Sequence, residues 1–160
     1  MLFLLFQLGR DRYALQASHV VEVIPLLELK ELPQAPVGVA GLFNYRGRLV
    51  PAVDLSLLTV DMAARRALST RIVVVNYAGP DGRTHLMGLI AEEVTEMLRT
   101  EARNFVGHGL KLRAAPYLGP VFLDPDGPIQ WFDEQRLLTA PFTNFLFQGS
   151  PLAEAANVSI

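Results

Sequence analysis

The chain has 160 residues, 51% hydrophobic and 19% charged, with a net charge of −2. That balance excludes intrinsic disorder and allows one domain, or two very small ones, with a true core. It also disfavours nucleic-acid binding, which draws on a basic excess. Cysteine is absent, which removes disulfides, thiol nucleophiles and cysteine-based metal sites.

Taken in chain order, the apolar start 1–8 (MLFLLFQL) lacks a basic lead and a small-residue cleavage site. It also falls far short of the roughly 20 residues of a membrane span. It reads as a buried strand, and the chain as cytoplasmic without membrane insertion. The strand turns at Gly9-Arg10-Asp11-Arg12 into Tyr13-Ala14-Leu15, the first of four predicted hairpins. A short helix is predicted over 16–21, followed by the β-branched run Val20-Val21-Glu22-Val23-Ile24. The second hairpin runs 39–44, turns at Tyr45-Arg46-Gly47 and returns over 48–53. Asp54 then reads as the N-cap of a helix over 55–58, with a possible continuation through 61–68. The third hairpin joins 71–77 to 85–90 across Gly79-Pro80-Asp81-Gly82, and a helix is predicted over 91–95. The fourth joins 118–123 to 128–132 across Asp124-Pro125-Asp126-Gly127, before a last helix over 133–138.

The chain repeats itself. Leu15, Ala17, Val20, Glu22, Val23 and Ile24 match Leu89, Ala91, Val94, Glu96, Met97 and Leu98 at an offset of 74. Gly47, Leu49, Asp54, Leu57 and Leu58 match Gly127, Ile129, Glu134, Leu137 and Leu138 at an offset of 80. Two similar small β-barrels are expected, roughly 9–76 and 77–140, sharing terminal strands. No Gly/Ser linker divides them; 59–70 is the only candidate. A flexible tail is expected over 149–160.

Catalytic constellations are missing. His19, His85 and His108 are far apart, no serine sits in a nucleophile elbow, and Gly107-His108-Gly109 lacks the context of a phosphate loop. Glu92, Glu93 and Glu96 read as a solvated helix face rather than an acid–base pair. No catalytic residue, metal site or cofactor is assigned. Glu22, a charge inside an apolar run, either points to solvent or is held by a cation. Arg46 sits at a turn tip, where recognition residues are often presented, although an ordinary solvated turn residue would look the same. Gly47 supplies positive φ for the turn.

These residues carry a resemblance. The Tyr13-Ala14-Leu15 strand, the Val20–Ile24 run, Leu32-Pro33, Pro36 and the stretch from Gly38 through Asn44-Tyr45-Arg46-Gly47 to Val50-Pro51-Ala52-Val53-Asp54-Leu55 resemble the CheW-like domain. That family includes chemotaxis coupling proteins and a regulatory domain of chemotaxis histidine kinases. The similarity covers about 2–138, and the Asn-x-Arg-Gly turn followed by Val-Pro-x-Val-Asp-Leu is its most specific part. The resemblance implies a mainly β fold of two SH3-like, five-stranded barrels with short helices, within a CheW-like domain over 1–148. It implies no enzymatic activity. It also implies an adaptor that links the tip of a methyl-accepting chemotaxis receptor to the regulatory CheW-like domain of a chemotaxis-type histidine kinase in a membrane-attached array.

On that resemblance Glu22, Asn44, Tyr45, Arg46 and Gly47 form the receptor-binding set. Val39, Leu42 and Leu49 form or support a kinase-docking side, and Asp54 stays a structural cap. Tyr45 stands where the family has an aliphatic residue, as do Trp131 and Phe132. These departures point towards an alternative, non-flagellar pathway. The competing expectation is a small-molecule sensor with its ligand between the barrels.

Overall fold

The structure, a computed structural model, describes residues 1–110 and 113–138. The tail expected over 149–160, the last residues of both the domain and the second barrel, and part of the 107–115 loop lie outside those residues. Among the described residues, nine strands run β1 (Leu2–Leu8), β2 (Asp11–Gln16), β3 (Val20–Pro25), β4 (Val39–Tyr45), β5 (Arg48–Asp54), β6 (Arg71–Ala78), β7 (Thr84–Arg99), β8 (Leu118–Asp124) and β9 (Gly127–Phe132). One α-helix, α1 (Leu55–Val60), follows β5. Turns of 3-10 helix cover Ala17–His19, Ala102–Asn104 and Glu134–Arg136.

All four expected hairpins form. The turn residues that mark them act locally, over two to four positions. The helices differ. Residues 16–21 hold only the 3-10 turn Ala17–His19, because the β-branched run begins at once, and 133–138 holds only Glu134–Arg136. Asp61 adopts a left-handed conformation (φ 61°, ψ 25°) and ends α1, so no helix continues through 61–68.

The region 91–95 is not helical. It lies inside β7, where Ala91 pairs with Arg71 of β6 and Glu92 with Gln7 of β1, and the Val94 N–H donates to the Ser69 carbonyl at 3.0 Å. The Glu spacing that suggested a helix instead marks a bulge. Gln7 faces Glu92 while Leu5 faces Glu96, and Glu93 has φ 51°. The buried Glu92 carboxylate is also not part of a solvated face. It accepts from the Arg65 backbone N–H at 3.0 Å and from Arg65 Nε at 3.3 Å.

The strands form two five-stranded, SH3-like subdomains, ordered β4-β5-β7-β6-β3 and β7-β1-β2-β9-β8. The two halves of the chain exchange strands. β7 pairs with β6 and β5 through its first half and with β1 through its second. The β1–β2 hairpin, made from the first half, completes the second barrel by a parallel pairing with β9. The barrels therefore do not follow the expected bounds of 9–76 and 77–140: β2 lies in the second barrel and the first half of β7 in the first, because the chain crosses over between β2 and β3 and again at the middle of β7.

The parallel ladders fix the repeat. Ala14 faces Trp131 on β2–β9, and Gly88 faces Ala52 on β7–β5. At the offset of 74, Ala14 is the counterpart of Gly88. The pair Ala52 and Trp131 makes the second offset 79, one less than the sequence matching suggested. That matching aligned two glycines, but Gly47 is the second residue of its turn and Gly127 the first residue of β9. The true counterpart of Asp54 is Asp133, and each accepts from a helix N–H, Leu57 at 3.1 Å and Gln135 at 3.1 Å.

Side-chain alternation then builds three apolar clusters. Phe3 and Leu5 of β1 point into the second barrel, and Ile72 and Val74 of β6 into the first. Their neighbours Leu4, Phe6, Val73 and Val75 turn the other way, into a core shared between the barrels. Strands buried on both faces read as unbroken apolar runs, which explains the greasy start. Trp131 packs edge-on against Phe3 and Phe105 at 4.9 and 5.0 Å, closing the interior of the second barrel.

Candidate functional site

The β4–β5 turn is built from its own residues. Arg46 and Gly47 have φ values of 52° and 83°, positive at both central positions, which matches the twist of a two-residue hairpin. Asn44 Oδ1 accepts from the Gly47 N–H at 2.8 Å and braces the turn. Tyr45 sends its ring into the first barrel beside Phe43, with centroids 6.5 Å apart, and its hydroxyl emerges at β3. There Tyr45 Oη donates to Glu22 Oε1 at 2.6 Å, and Arg46 Nη2 donates to the same oxygen at 2.8 Å. The Arg46 guanidinium lies 5.3 Å from the Tyr45 ring centre, within cation–π range.

Glu22 is thus held by a cation rather than pointing free into solvent. The bond to Glu22 and then burial push the Tyr45 phenol above its ordinary pKa, which keeps it a donor. The side chain of Arg46 is 74% exposed and that of Glu22 38%. The cluster therefore offers solvent a guanidinium fixed in place by an acid and a phenol.

The structure treats the other predicted residues differently. Leu42 is buried in the first barrel's wall, and its backbone exchanges two hydrogen bonds with Lys30, at 2.8 and 2.9 Å. The outer edge of β4 is therefore covered at Leu42 and cannot template another strand there. Gly41 permits this approach: a Cβ on it would stand 2.3 Å from the Lys30 carbonyl oxygen. Val39 is half-buried and packs on the shared core. Only Leu49 presents its side chain, at 56% exposure. Asp54 caps α1 as expected and also accepts from the Ala64 N–H at 3.0 Å.

Several organising pairs gave no sequence signal because their members lie more than a hundred positions apart. Arg12 Nη2 donates to Asp124 Oδ2 at 2.7 Å and to the Gly127 carbonyl at 2.9 Å, tying β2 to the β8–β9 turn. The guanidinium holds the Asp124 carboxyl below its usual range. His19 Nδ1 meets the buried carboxylate of Glu134.

A groove lined by Leu4, Val23, Arg71, Val94 and Met97 runs where the barrels meet. It is an open depression rather than an enclosed cavity, and so lacks the shape that buries a small ligand. No helix among the described residues is long and apolar enough to cross a membrane.

Two SH3-like subdomains, exchanged strands and a braced Asn-x-Arg-Gly turn define the class of this protein. The sequence profile of the CheW-like domain matches residues 2–142, and the chain belongs to that family. It is 27% identical over 97 residues to the chemotaxis protein CheW of Helicobacter pylori, covering 61% of this chain and 56% of that protein. To the chemotaxis protein CheW of Klebsiella aerogenes it is 24% identical over 100 residues, covering 62% of this chain and 57% of that protein. The matched region thus spans little more than half the length of either relative. The crystal structure of the scaffolding protein TtCheW from Thermoanaerobacter tengcongensis superposes with a TM-score of 0.72 at 20% identity, covering 94% of this chain and 92% of that one.

Proposed function

We propose that this protein is a non-catalytic adaptor of a chemosensory array, joining the tip of a methyl-accepting chemotaxis receptor to the regulatory domain of a chemotaxis-type histidine kinase at the cytoplasmic side of the membrane. The carrying observation is the family match over residues 2–142. The Glu22–Tyr45–Arg46 cluster, on a turn that needs no partner to form, is assigned to the receptor side. Leu49, the exposed member of the apolar set, is assigned to the kinase side.

Two rigid barrels supply two faces, and holding both partners raises their local concentration even where each contact is weak. Calorimetric titration of the kinase regulatory domain into this protein, with and without receptor tips, tests the reading. Modest affinity alone and tighter assembly of all three is expected. Equal affinity in both titrations, with no ternary complex on size exclusion, overturns it.

A further inference from the structure

The turn after β9 grips three parts of the molecule with three consecutive residues. The Asp133 N–H donates to the Tyr117 carbonyl at 2.8 Å, within the second barrel. Glu134, 1% exposed, meets His19, which ends the crossover from β2 of the second barrel to β3 of the first. Gln135 reaches the first barrel itself. Its Nε2 donates to the Asn76 carbonyl at 2.9 Å, and its Oε1 accepts from the Ala78 N–H at 3.0 Å.

The pairing of β3 with β6 stops at Val75. The Gln135 amide therefore takes over the edge of β6 where its neighbouring strand ends. The two grips differ in kind. Glu134 is enclosed, whereas both Gln135 bonds are solvent-exposed and open at low cost, since water replaces each partner. The shared apolar core holds the barrels together but has no directional preference of its own; hydrogen bonds do.

We propose that residues 133–135 form a strap that sets the angle between the two barrels, with Gln135 as its releasable end. The groove lined by Leu4, Val23, Arg71 and Met97 is walled by strands of both barrels, so the angle sets its width. Glu22 of the cluster assigned to the receptor adjoins Val23 in the groove's wall, so receptor affinity is the functional readout, and that part rests on the adaptor reading above.

The absence of cysteine makes the test direct. Cysteines introduced as Arg48→Cys and Leu123→Cys, one near each barrel's hairpin tip, carry spin labels whose separation reports the angle. The parent protein is expected to give a narrow distance distribution. Gln135→Ala, which removes both bonds, shifts and broadens it. Gln135→Glu, which turns a carboxylate oxygen towards the Asn76 carbonyl, shifts it as well. Receptor-tip affinity in Gln135→Ala drops roughly three- to tenfold, the weight of one or two exposed hydrogen bonds, with kinase-domain affinity unchanged. A distribution for folded Gln135→Ala that superposes on the parent's overturns the strap. A shifted distribution with unchanged receptor affinity overturns its link to binding. A parent protein that fails to bind receptor tips overturns the adaptor reading instead, while the distances still decide the strap.

Discussion

Arg46 bonds to Glu22 at 2.8 Å while remaining largely in water. Exposed ion pairs contribute about 0–1 kcal/mol, so the pair adds little stability and its value is in orientation. Arg46→Glu is expected to abolish receptor-tip binding in a pull-down while leaving the melting temperature nearly unchanged; retained binding would remove Arg46 from the interface.

Other residues do tie stability to pH. Burial holds the Tyr13 and Tyr77 phenols above their ordinary value. The folded state keeps those protons more tightly than the unfolded chain does. Their contribution is therefore complete below the unfolded value of about 10 and is lost as pH rises through the folded values. Urea midpoints measured across the alkaline range should fall, and a Tyr13→Phe variant should fall less steeply. Glu134 is also raised, by burial first, with His19 opposing. Its contribution is complete below the ordinary carboxyl range and declines as pH climbs through the raised value, a slope that Glu134→Gln should remove.

At the scale of elements, Gly41 is the tightest point of the first barrel's edge. A methyl group there meets the Lys30 carbonyl oxygen, at a φ of 145° that L side chains rarely adopt. Gly41→Ala is expected to cost about 2 kcal/mol or more, read as a lower denaturation midpoint with an unchanged slope. On the opposite strand, Leu49→Asp places a charge on an exposed apolar position without touching the core. It should block kinase-domain binding and spare receptor binding; loss of both would instead report unfolding.

The hairpins were legible because each is specified by its own turn, Asn44 to Gly47 being the clearest case. That a cation holds Glu22 was one of two readings open from the acid in the apolar run, and the structure identifies it as Arg46; Tyr45 as the second donor gave no signal. The β7 bulge was illegible because Glu92, Glu93 and Glu96 have helical spacing, and only the facing strand β1 shows that the extra residues are absorbed at Glu93. The end of α1 was missed because Asp61 resembles a helical residue until its left-handed backbone is seen.

Across the whole molecule, the sequence repeat pointed to two barrels but not to their exchanged strands. The pairing of β2 with β9 joins residues more than a hundred positions apart, and no local pattern encodes it. One consequence is testable by cutting the chain. Residues 1–80 carry β1 and β2 without β9, and β3 to β6 without β7; residues 81–160 carry β7, β8 and β9. Neither fragment can close a barrel, so each alone should lack the far-ultraviolet dichroism and dispersed amide spectrum of the intact protein. Mixing them should restore both. A fragment that folds by itself would show that the exchange is dispensable.

The early β1–β2 hairpin also imposes an order on synthesis. Its strands leave the ribosome ahead of the rest of the domain, yet β9, which completes their barrel, is made more than a hundred residues later. The first barrel can close once the first half of β7 has emerged, whereas the second must wait until Phe132 is free. During that interval Phe3, Leu5 and Ala14 have no interior to enter. High contact order of this kind slows folding and prolongs the exposure of apolar strands. Within this domain the nascent chain is thus most exposed to aggregation along β1, and a chaperone that retains emerging apolar segments would act on β1 before the domain's later strands.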